Sequence, residues 1–347
     1  MSREKIGFAV IGYGHIGRRH AAVIEGHPDC ELRAVCDVRS KEETGWNGTA
    51  PYYRSPADLL SSENLPEVVC ICTPNGLHAE QARAVLQRGS HVVIEKPMAL
   101  DRADCEQIVY SALNASRQVF CVMQNRYTPP VQWLRTLLDE KRLGDIYLVD
   151  IDCYWNRDDR YYLPNGKPHP WHGKADLDGG PLFTQFSHFV DLMYWMFGDI
   201  SDIRAAFGNH AHRTTTDYED TGSVSFNFVN GGQGVLSYST AVWQQNLESS
   251  ITVLAERGSV RIGGQYMNRV DACEIQDYTL PVLAETLPPN DYGGYRGSAA
   301  NHHHVFQNVV DTLNGLKPAA TNALEGLKVV DIIERIYAQR PDFRRTA

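Results

Sequence analysis

The sequence predicts an α/β domain built on a parallel sheet, followed by an α+β domain with an open, mainly antiparallel sheet. Two observations support the first domain: strand and helix patterns alternate up to residue 124, and the strands are continuously apolar, as in sheets covered on both faces. After residue 124, longer segments alternate apolar and polar residues, which is typical of a sheet with one solvated face. We therefore predict two domains, 1–124 and 125–347.

The first domain is predicted to contain a series of strands that alternate with helices. The strands are expected at 5–11, 31–36, 67–72, 91–95 and 119–123, and the helices at 15–26, 55–62, 76–88 and 101–115. In a parallel sheet the carboxyl ends of all strands lie along one edge, where ligands bind. Polar motifs follow each of these strands, so we expect one binding site at that edge.

The second domain is predicted to combine a few helices with a larger sheet. Helices are expected at about 129–142, from Pro181 to about 197, at 301–314 and at 322–338, and strands at 146–153, 223–228, 235–243, 250–255 and 259–262. A polar loop spans 156–178. One face of the sheet should cover helices. The other carries Ser, Thr, Tyr and Asn and could pair with a second copy, which predicts a homodimer or homotetramer.

The composition argues against several classes of protein. The 347 residues include 33 Lys+Arg and 42 Asp+Glu, a net charge of −9, whereas a general nucleic-acid binder needs a basic surface. We find no apolar stretch long enough to span a bilayer, so no membrane contact is expected. Several of the eight cysteines lie in apolar runs and none forms a Cys-x-x-Cys pair, which favours reduced thiols in a cytoplasmic protein.

The motif Gly-Tyr-Gly-His-Ile-Gly joins the first strand to the first helix and predicts a dinucleotide-binding Rossmann fold. Gly12 permits the tight turn, Gly14 lets a pyrophosphate approach the backbone, and Gly17 lets the helix pack on the strand. Asp37, at the end of the second strand, can accept a hydrogen bond from a ribose hydroxyl, which favours NAD. Arg39 opposes this preference, so NADP stays possible. The alternative is an ordinary turn between a strand and a helix.

The run Glu95-Lys96-Pro97 follows the fourth strand and suggests redox chemistry. A lysine beside a nicotinamide can hydrogen-bond a substrate hydroxyl and favour its alkoxide character as hydride leaves. Proline fixes the backbone so that the lysine enters the cleft, and we predict that the peptide bond before Pro97 is cis. The alternative is a solvated surface lysine.

His188 lies within the apolar helix that starts at Pro181. Thr184 is one turn earlier and Asp191 nearly one turn later, so the three side chains should share a face. A histidine there could take the proton of a substrate hydroxyl, with Asp191 orienting the imidazole. The alternative is a core histidine satisfied by hydrogen bonds.

The run His302-His303-His304 is not expected to bind a metal ion. Neighbouring residues on a helix point in different directions, so three consecutive histidines converge poorly on one ion. We expect one of them to face the cleft and the others to be solvated or packed, and we predict no metal site.

Taken together, these motifs resemble the glucose–fructose oxidoreductase / inositol dehydrogenase / MocA family. The resembling segments are Gly12-x-Gly14-x-x-Gly17, Cys72-Thr73-Pro74-Asn75, Glu95-Lys96-Pro97 and Asp178-Gly179-Gly180…His188-x-x-Asp191. The resemblance covers nearly the whole chain and implies an NAD(P) cofactor and a sugar-like alcohol as substrate. By position, Lys96 and His188 match the family's catalytic lysine and histidine. Many polyol dehydrogenases of the family have an aspartate where this chain has Thr184, so Lys96 and His188 must transfer the proton.

Within the family, the chain most resembles UDP-N-acetylglucosaminuronate 3-dehydrogenases. The resembling segments are Gln124-Asn125-Arg126, Tyr154-Trp155-Asn156-Arg157, Trp171-His172-Gly173, Asp178-Gly179-Gly180, Gln185-x-Ser187-His188 and Glu219-Asp220-Thr221-Gly222. This likeness implies NAD-dependent oxidation of the C3 hydroxyl of a UDP-linked N-acetyl uronic acid in polysaccharide sugar biosynthesis. Arg157 could pair with a carboxylate or phosphate of such a ligand. The alternative is a surface arginine.

The predicted site therefore combines two catalytic residues, Lys96 and His188, with two sets of binding residues. The candidate cofactor-binding residues are Gly12, Gly14, His15, Ile16, Gly17, Asp37, Arg39, Thr73, Pro74, Asn75, His78, Glu95, Lys96 and Gln124. The candidate substrate-binding residues are Lys96, Asn125, Arg157, Trp171, Thr184, Gln185 and His188. Three other functions stay open: a dehydrogenase of a free polyol or sugar, a ketosugar reductase, and a non-catalytic NAD-binding sensor.

Overall fold

The computed structural model describes residues 4–291 and 295–340. The strands are β1 (Ile6–Ile11), β2 (Cys30–Cys36), β3 (Tyr52–Tyr53), β4 (Val68–Ile71), β5 (His91–Ile94), β6 (Val119–Cys121), β7 (Ile146–Tyr154), β8 (Ile200–Gly208), β9 (Thr221–Phe228), β10 (Gln233–Ser239), β11 (Glu248–Ala255), β12 (Gly258–Gly263), β13 (Arg269–Ile275), β14 (Pro289–Asp291) and β15 (Arg296–Ala299). The helices are α1 (His15–Gly26), α2 (Lys41–Thr44), α3 (Pro56–Leu60), α4 (His78–Gln87), α5 (Arg102–Ala115), α6 (Pro129–Asp139), α7 (Asp159–Tyr162), α8 (Pro181–Thr184), α9 (Ser187–Phe197), α10 (His302–Leu313) and α11 (Ala323–Tyr337). Short 3₁₀ turns lie at Asn75–Leu77, Gln124–Tyr127 and Pro164–Gly166.

The chain divides into two compact units. The first contains the residues up to Met123 together with His302–Val330, and the second contains Gln124–Asn301 and the residues from Asp331 onward. The first unit is built on a six-stranded sheet in the order β3-β2-β1-β4-β5-β6, and every pair of neighbouring strands is parallel. This is the doubly wound sheet that the sequence predicts.

The core of the first unit follows from continuous apolar strands. All residues of β1 and β4 are buried, as expected for strands covered by helices on both faces. The helix starts are set by local signals: the side chain of Asp101 accepts from the backbone N–H of Asp104 at 2.8 Å, which caps α5. Ser55 caps α3 in the same way, with Pro56 at the first helical position.

The second unit is built on a seven-stranded mixed sheet in the order β13-β12-β11-β7-β10-β9-β8. Only the pair β7–β10 is parallel, so the sheet is mainly antiparallel, as predicted. Its strands alternate between a buried and an accessible face: in β9, Val224 and Phe226 are buried, whereas Ser223 and Ser225 are exposed. The polar alternation along the sequence therefore located the open face correctly.

The predicted helix from Pro181 to residue 197 is wrong in one respect, because it is broken. The structure contains α8 and α9, and between them Phe186 has non-helical backbone angles (φ −111°, ψ 4°). Phe186 is buried against the rings of Trp155, Phe189 and Tyr238. Packing of this ring outweighs local helical preference at the break. Thr184 therefore does not lie on the helix that carries His188.

The remaining differences concern strand limits. The predicted strand 235–243 ends at Ser239, and Trp243 beyond it is exposed. The sequence analysis missed five strands. Of these, β3 and β14 have only two and three residues, and β8, β13 and β15 carry many polar residues. Within the two described stretches of the chain, no helix combines the length and the apolar character that crossing a membrane requires.

Candidate functional site

The turn between β1 and α1 has the geometry that its glycines predict. Gly12 has φ +89°, and a Cβ there would lie 2.6 Å from the carbonyl oxygen of Cys72. A Cβ on Gly17 would lie 1.8 Å from the carbonyl oxygen of Gly12, so the helix can approach the strand only with glycine. A Cβ on Gly14 would meet no atom within 4 Å. The turn therefore leaves space at Gly14, and it opens at the N-terminus of α1, which suits a pyrophosphate.

Asp37 lies beside this turn, immediately after β2. Its Oδ2 atom accepts a hydrogen bond from the backbone N–H of Tyr13 at 2.7 Å, which ties the two loops together. Arg39 donates to both carboxylate oxygens, each at 2.9 Å. Burial alone would raise the pKa of Asp37, but the hydrogen bonds from Arg39 and Tyr13 hold that pKa below its usual range. Asp37 is thus an ionised acceptor whose charge is offset by a half-exposed arginine.

Three further candidate cofactor-binding residues lie in the first turn of α1 and in the loop after β4. His15 begins α1, and burial followed by the charges of Arg18 and Arg39 lowers its pKa. Ile16 is half-buried in the first turn of α1. Asn75 is buried at the start of a 3₁₀ turn that follows Pro74.

His78 connects two of the strand-end loops. One ring nitrogen lies 2.9 Å from the carbonyl oxygen of Thr73, and the other lies 2.7 Å from that of Pro97. Burial lowers the pKa of His78, although the two carbonyl oxygens oppose that shift. The Thr73 hydroxyl in turn donates to Gln81 at 2.7 Å. The loops after β4 and β5 are therefore held together within the first unit, as the shared edge of a parallel sheet predicts.

Lys96 follows β5 and is half-buried, so it is not a fully solvated surface lysine. The Lys96–Pro97 peptide bond is cis, as predicted. The preceding residue, Glu95, is buried, and its side chain contacts His20 and His302. Of the three consecutive histidines, His302 faces inward and the other two are exposed. Sequence reasoning did not single out His20, because a lone histidine in a helix carries no recognisable signal.

In the second unit, a short chain of hydrogen bonds leads from Gln124 to His188. The side-chain amide of Gln124 donates to the hydroxyl of Ser298 at 2.9 Å, and that hydroxyl lies 3.5 Å from Nε2 of His188. His188 is buried, with 1% of its surface exposed. If the Ser298 hydroxyl donates, Nε2 is the unprotonated nitrogen, which is the form that can accept a substrate proton. Ser298 was missed, because a serine near the end of a chain has no distinctive motif.

Asp191, which sequence spacing suggests as a partner for His188, holds a different side chain. Arg126 donates to both of its carboxylate oxygens, at 2.8 and 2.5 Å, and both residues are buried. The guanidinium also lies 5.0 Å from the ring centre of Trp195. Arg126 and the neighbouring Asn125, which is also buried, are thereby anchored to α9.

Thr184 interacts with the buried carboxylate of Asp178. Its hydroxyl donates to the backbone carbonyl of Asp178 at 2.7 Å and lies very close to the carboxylate. The same carboxylate accepts from the backbone N–H of Gly173 at 2.8 Å and from the hydroxyl of Tyr218 at 2.5 Å. Thr184 thus holds its hydroxyl against an acid from the preceding loop.

Arg157 is buried, with 2% of its surface exposed, so it is not a surface arginine. Its guanidinium donates to Gln185, to Asn246 and to the backbone carbonyls of Asn156 and Arg296. Rings stack around it, with centres 4.9 to 5.4 Å from its central carbon, and they belong to Trp155, Tyr161 and Tyr295. Among the residues described, the hydrogen-bond partners of this cation are all neutral oxygens, and no carboxylate lies within salt-bridge distance of it. Its positive charge is held by neutral acceptors and aromatic faces.

Trp171 lies in the same part of the second unit. Its ring packs edge-on against His172 at 4.1 Å, and His172 stacks on Tyr161 at 3.9 Å. Gln185 links this stack to Arg157, since its amide donates to the Tyr161 hydroxyl while its oxygen accepts from the guanidinium. The structure therefore brings Trp171, Gln185 and Arg157 into one aromatic and polar cluster.

Comparison with known proteins assigns the family. Residues 6–123 match the model of an oxidoreductase family with an NAD-binding Rossmann fold, and residues 131–261 match the GFO/IDH/MocA C-terminal domain. The fold is similar to that of the WlbA dehydrogenase of Bordetella pertussis, whose crystal structure contains NADH and UDP-GlcNAcA. The TM-score is 0.84 and the identity 32%, covering 98% of this chain and 97% of that one.

Two curated relatives are more distant. Inositol 2-dehydrogenase of Rhizobium meliloti is 22% identical over 337 residues, which cover 96% of this chain and 97% of the relative. An uncharacterised oxidoreductase of Synechocystis is 26% identical over 205 residues, which cover 57% of this chain and 53% of the relative. With the glycine turn, Asp37 and the parallel sheet, these matches establish that the chain belongs to the GFO/IDH/MocA oxidoreductase family and is an NAD-dependent sugar oxidoreductase.

Proposed function

We propose that this enzyme oxidises the C3 hydroxyl of a UDP-linked N-acetyl uronic acid with NAD. The observation that carries the proposal is the likeness at 32% identity, over almost the whole chain, to a dehydrogenase crystallised with NADH and UDP-GlcNAcA. The buried Arg157 adds independent support. Its guanidinium has no carboxylate at salt-bridge distance among the residues described and donates to neutral oxygens, which favours a substrate that carries a carboxylate or phosphate.

The glycine turn and Asp37 would hold the cofactor, with the pyrophosphate over Gly14 and the adenosine ribose at the Asp37 carboxylate. When bound, NAD supplies the acceptor for the hydride that leaves the substrate carbon. We propose that Lys96 hydrogen-bonds the substrate hydroxyl and stabilises its alkoxide character. His188 would take the proton of the substrate hydroxyl. Its Nε2 atom faces the hydroxyl of Ser298.

The substrate proposal is tested by following NADH formation with three alcohols. These are a UDP-linked N-acetyl uronic acid, the matching UDP-sugar without the carboxylate, and a free polyol such as inositol. We expect turnover with the first, much weaker turnover with the second because Arg157 loses its anion, and none with the third. A parallel assay adds a keto acid acceptor and measures its reduction, since a cofactor that is never released would form no free NADH. Preference for the free polyol would replace this proposal with an inositol-type dehydrogenase.

The catalytic roles are tested with Lys96→Ala and His188→Ala. Each variant should lose about 10²- to 10⁴-fold in kcat while it still binds NAD, because general acid–base catalysis contributes on that scale. Full turnover in either variant removes that residue from the mechanism. Tight NAD binding, with neither reduction of NAD by any alcohol nor reduction of a keto acid by bound NADH, would support a sensor instead. Equal rates with NADP would contradict the role given to Asp37.

A further inference from the structure

Two buried histidines flank the buried carboxylate of Glu95, the residue that precedes Lys96. Nε2 of His20 lies 2.9 Å from Oε1 of Glu95, and Nε2 of His302 lies 3.6 Å from the same oxygen. The exposed fractions of His20, Glu95 and His302 are 0%, 6% and 1%. The three residues come from α1, from the end of β5 and from the start of α10, all within the first unit.

The proton positions in this cluster follow from its chemistry. Sγ of Cys72 lies 3.4 Å from Nδ1 of His20, and burial raises the pKa of Cys72 well above its usual value. Cys72 therefore stays a thiol and donates to Nδ1, which leaves the ring proton on Nε2, where it is donated to Glu95. Burial would raise the pKa of Glu95, but the hydrogen bond from His20 and the nearby ring of His302 outweigh burial and keep that pKa well below its usual range. Glu95 is thus a buried, ionised acceptor.

The second oxygen of this carboxylate reaches the backbone of the next residue. Oε2 of Glu95 accepts from the backbone N–H of Lys96 at 3.2 Å. A carboxylate held at both oxygens fixes the orientation of the peptide plane from which the Lys96 side chain departs. On the other side of Lys96, His78 contacts the carbonyl oxygen of Pro97 at 2.7 Å.

We propose that His20 is a positioning residue for Lys96 and acts through the carboxylate of Glu95. This inference rests on the catalytic role proposed for Lys96. His20 touches neither substrate nor cofactor in this scheme. It fixes one carboxylate rotamer, and that rotamer fixes the direction of the amine. A displacement of about 1 Å at a reacting group can reduce a rate about 100-fold, so loss of this anchor should lower the rate of the enzyme.

The same side chains could surround a metal ion, since their ligand atoms lie within 4.8 Å of one another. The distance favours the hydrogen-bonded arrangement, because the 2.9 Å separation of Nε2 of His20 from Oε1 of Glu95 is that of a hydrogen bond, which requires the ring proton on Nε2. A bound metal ion would have to displace that proton.

The test compares the kinetics of three variants with the alcohol that the substrate assay identifies. His20→Leu removes the donor but keeps an apolar side chain, and it should lower kcat about 10- to 100-fold while KM and the Kd for NAD stay within about twofold. His20→Gln restores an N–H near the position of Nε2 and should recover most of kcat. This rescue separates positioning from simple loss of structure. Glu95→Gln removes the charged acceptor and should lower kcat in the same range.

Each outcome has a distinct meaning. Wild-type kcat in folded His20→Leu or Glu95→Gln overturns the inference, and so does a loss in His20→Leu that His20→Gln fails to recover. If Lys96→Ala itself keeps full activity, the proposed function of Lys96 fails first. If Lys96→Ala is inactive but His20→Leu is not, only the positioning role fails. Elemental analysis of the purified enzyme tests the alternative. Stoichiometric zinc or another transition metal would overturn the hydrogen-bonded arrangement and show that the cluster is a metal site.

Discussion

At the scale of single residues, the glycines of the β1–α1 turn serve different physical purposes. Gly12 adopts a backbone conformation with positive φ, and Gly17 lies where any side chain would overlap the carbonyl of Gly12. Gly14 has φ −79° and open space beside it, so neither its backbone nor its surroundings demand glycine. We therefore expect Gly14 to be required for the approach of a ligand and not for folding.

Gly14→Ala and Gly17→Ala form a matched pair that tests this distinction. Gly17→Ala should lower the free energy of unfolding by about 1–3 kcal/mol or more, because the new methyl group overlaps backbone. Gly14→Ala should leave that free energy within about 1 kcal/mol but raise the Kd for NAD at least about tenfold. Urea denaturation and NAD titration measure the two quantities. Unchanged NAD affinity in folded Gly14→Ala would show that no phosphate approaches there.

At the scale of elements, α9 is anchored from outside the helix. The break at Phe186 frees α9 from α8, and the buried pair Arg126–Asp191 ties it to the 3₁₀ turn Gln124–Tyr127. His188 lies one turn before Asp191 on α9. The ion pair therefore sets the position of the helix that carries the proposed base.

Removing one partner of this pair should be costly. Arg126→Met leaves the Asp191 carboxylate buried without its cation and should lower the free energy of unfolding by about 3–5 kcal/mol. The double variant Arg126→Met/Asp191→Leu should recover much of that loss, because no charge is then buried. Thermal and urea denaturation of the three proteins gives the comparison. A double variant as unstable as the single one would show that the pair supplies more than charge compensation.

At the scale of the whole molecule, buried carboxylates link stability to pH. The pKa values of Asp37, Glu95 and Asp220 are all depressed in the folded chain. Burial alone would raise the pKa of Asp220. The interaction with His212 and the hydrogen bonds from the backbone N–H groups of residues 210–212 outweigh burial and lower that pKa. A carboxyl with a folded pKa below its unfolded value stabilises the fold above the unfolded pKa, and that contribution is lost as pH falls toward the folded value.

The free energy of unfolding should therefore decrease as pH falls below about 4–5, the range in which unfolded carboxyl groups take up protons. Asp220→Asn should be less stable than the wild type at pH 7, and the difference should shrink between about pH 5 and pH 3 because the variant has no charge to lose. Denaturant titrations across this range measure both curves. A difference that is independent of pH would mean that the ionised form of Asp220 is not the stabilising species.

Association of copies through the open face of the second sheet stays a prediction. The polar alternation along β9 places Ser223 and Ser225 on that face, where they are exposed in the single chain. Sedimentation equilibrium of the purified protein distinguishes a monomer, which would contradict the prediction, from a dimer or tetramer.

Local patterns located most of the strand-end loops at which we propose that the cofactor binds. Glycine spacing, an acid after β2 and a Lys-Pro pair after β5 are short-range signals, and the parallel sheet places strand ends together whatever the rest of the chain does. Spacing failed for the grouping of Thr184 with His188, because helical periodicity assumes an unbroken helix and the chain breaks at Phe186. It also suggested Asp191 as the partner of His188, whereas that carboxylate holds Arg126.

The sequence by itself determined the two-sheet architecture, the glycine turn and the identity of the residues at the strand ends, since each depends on neighbours along the chain. Only the tertiary structure decided that Ser298 reaches His188, that Arg157 is buried among rings, and that His20 and His302 converge on Glu95. These contacts join residues far apart in sequence. No local preference encodes them, because they exist only once packing has excluded water and brought the partners within hydrogen-bonding distance.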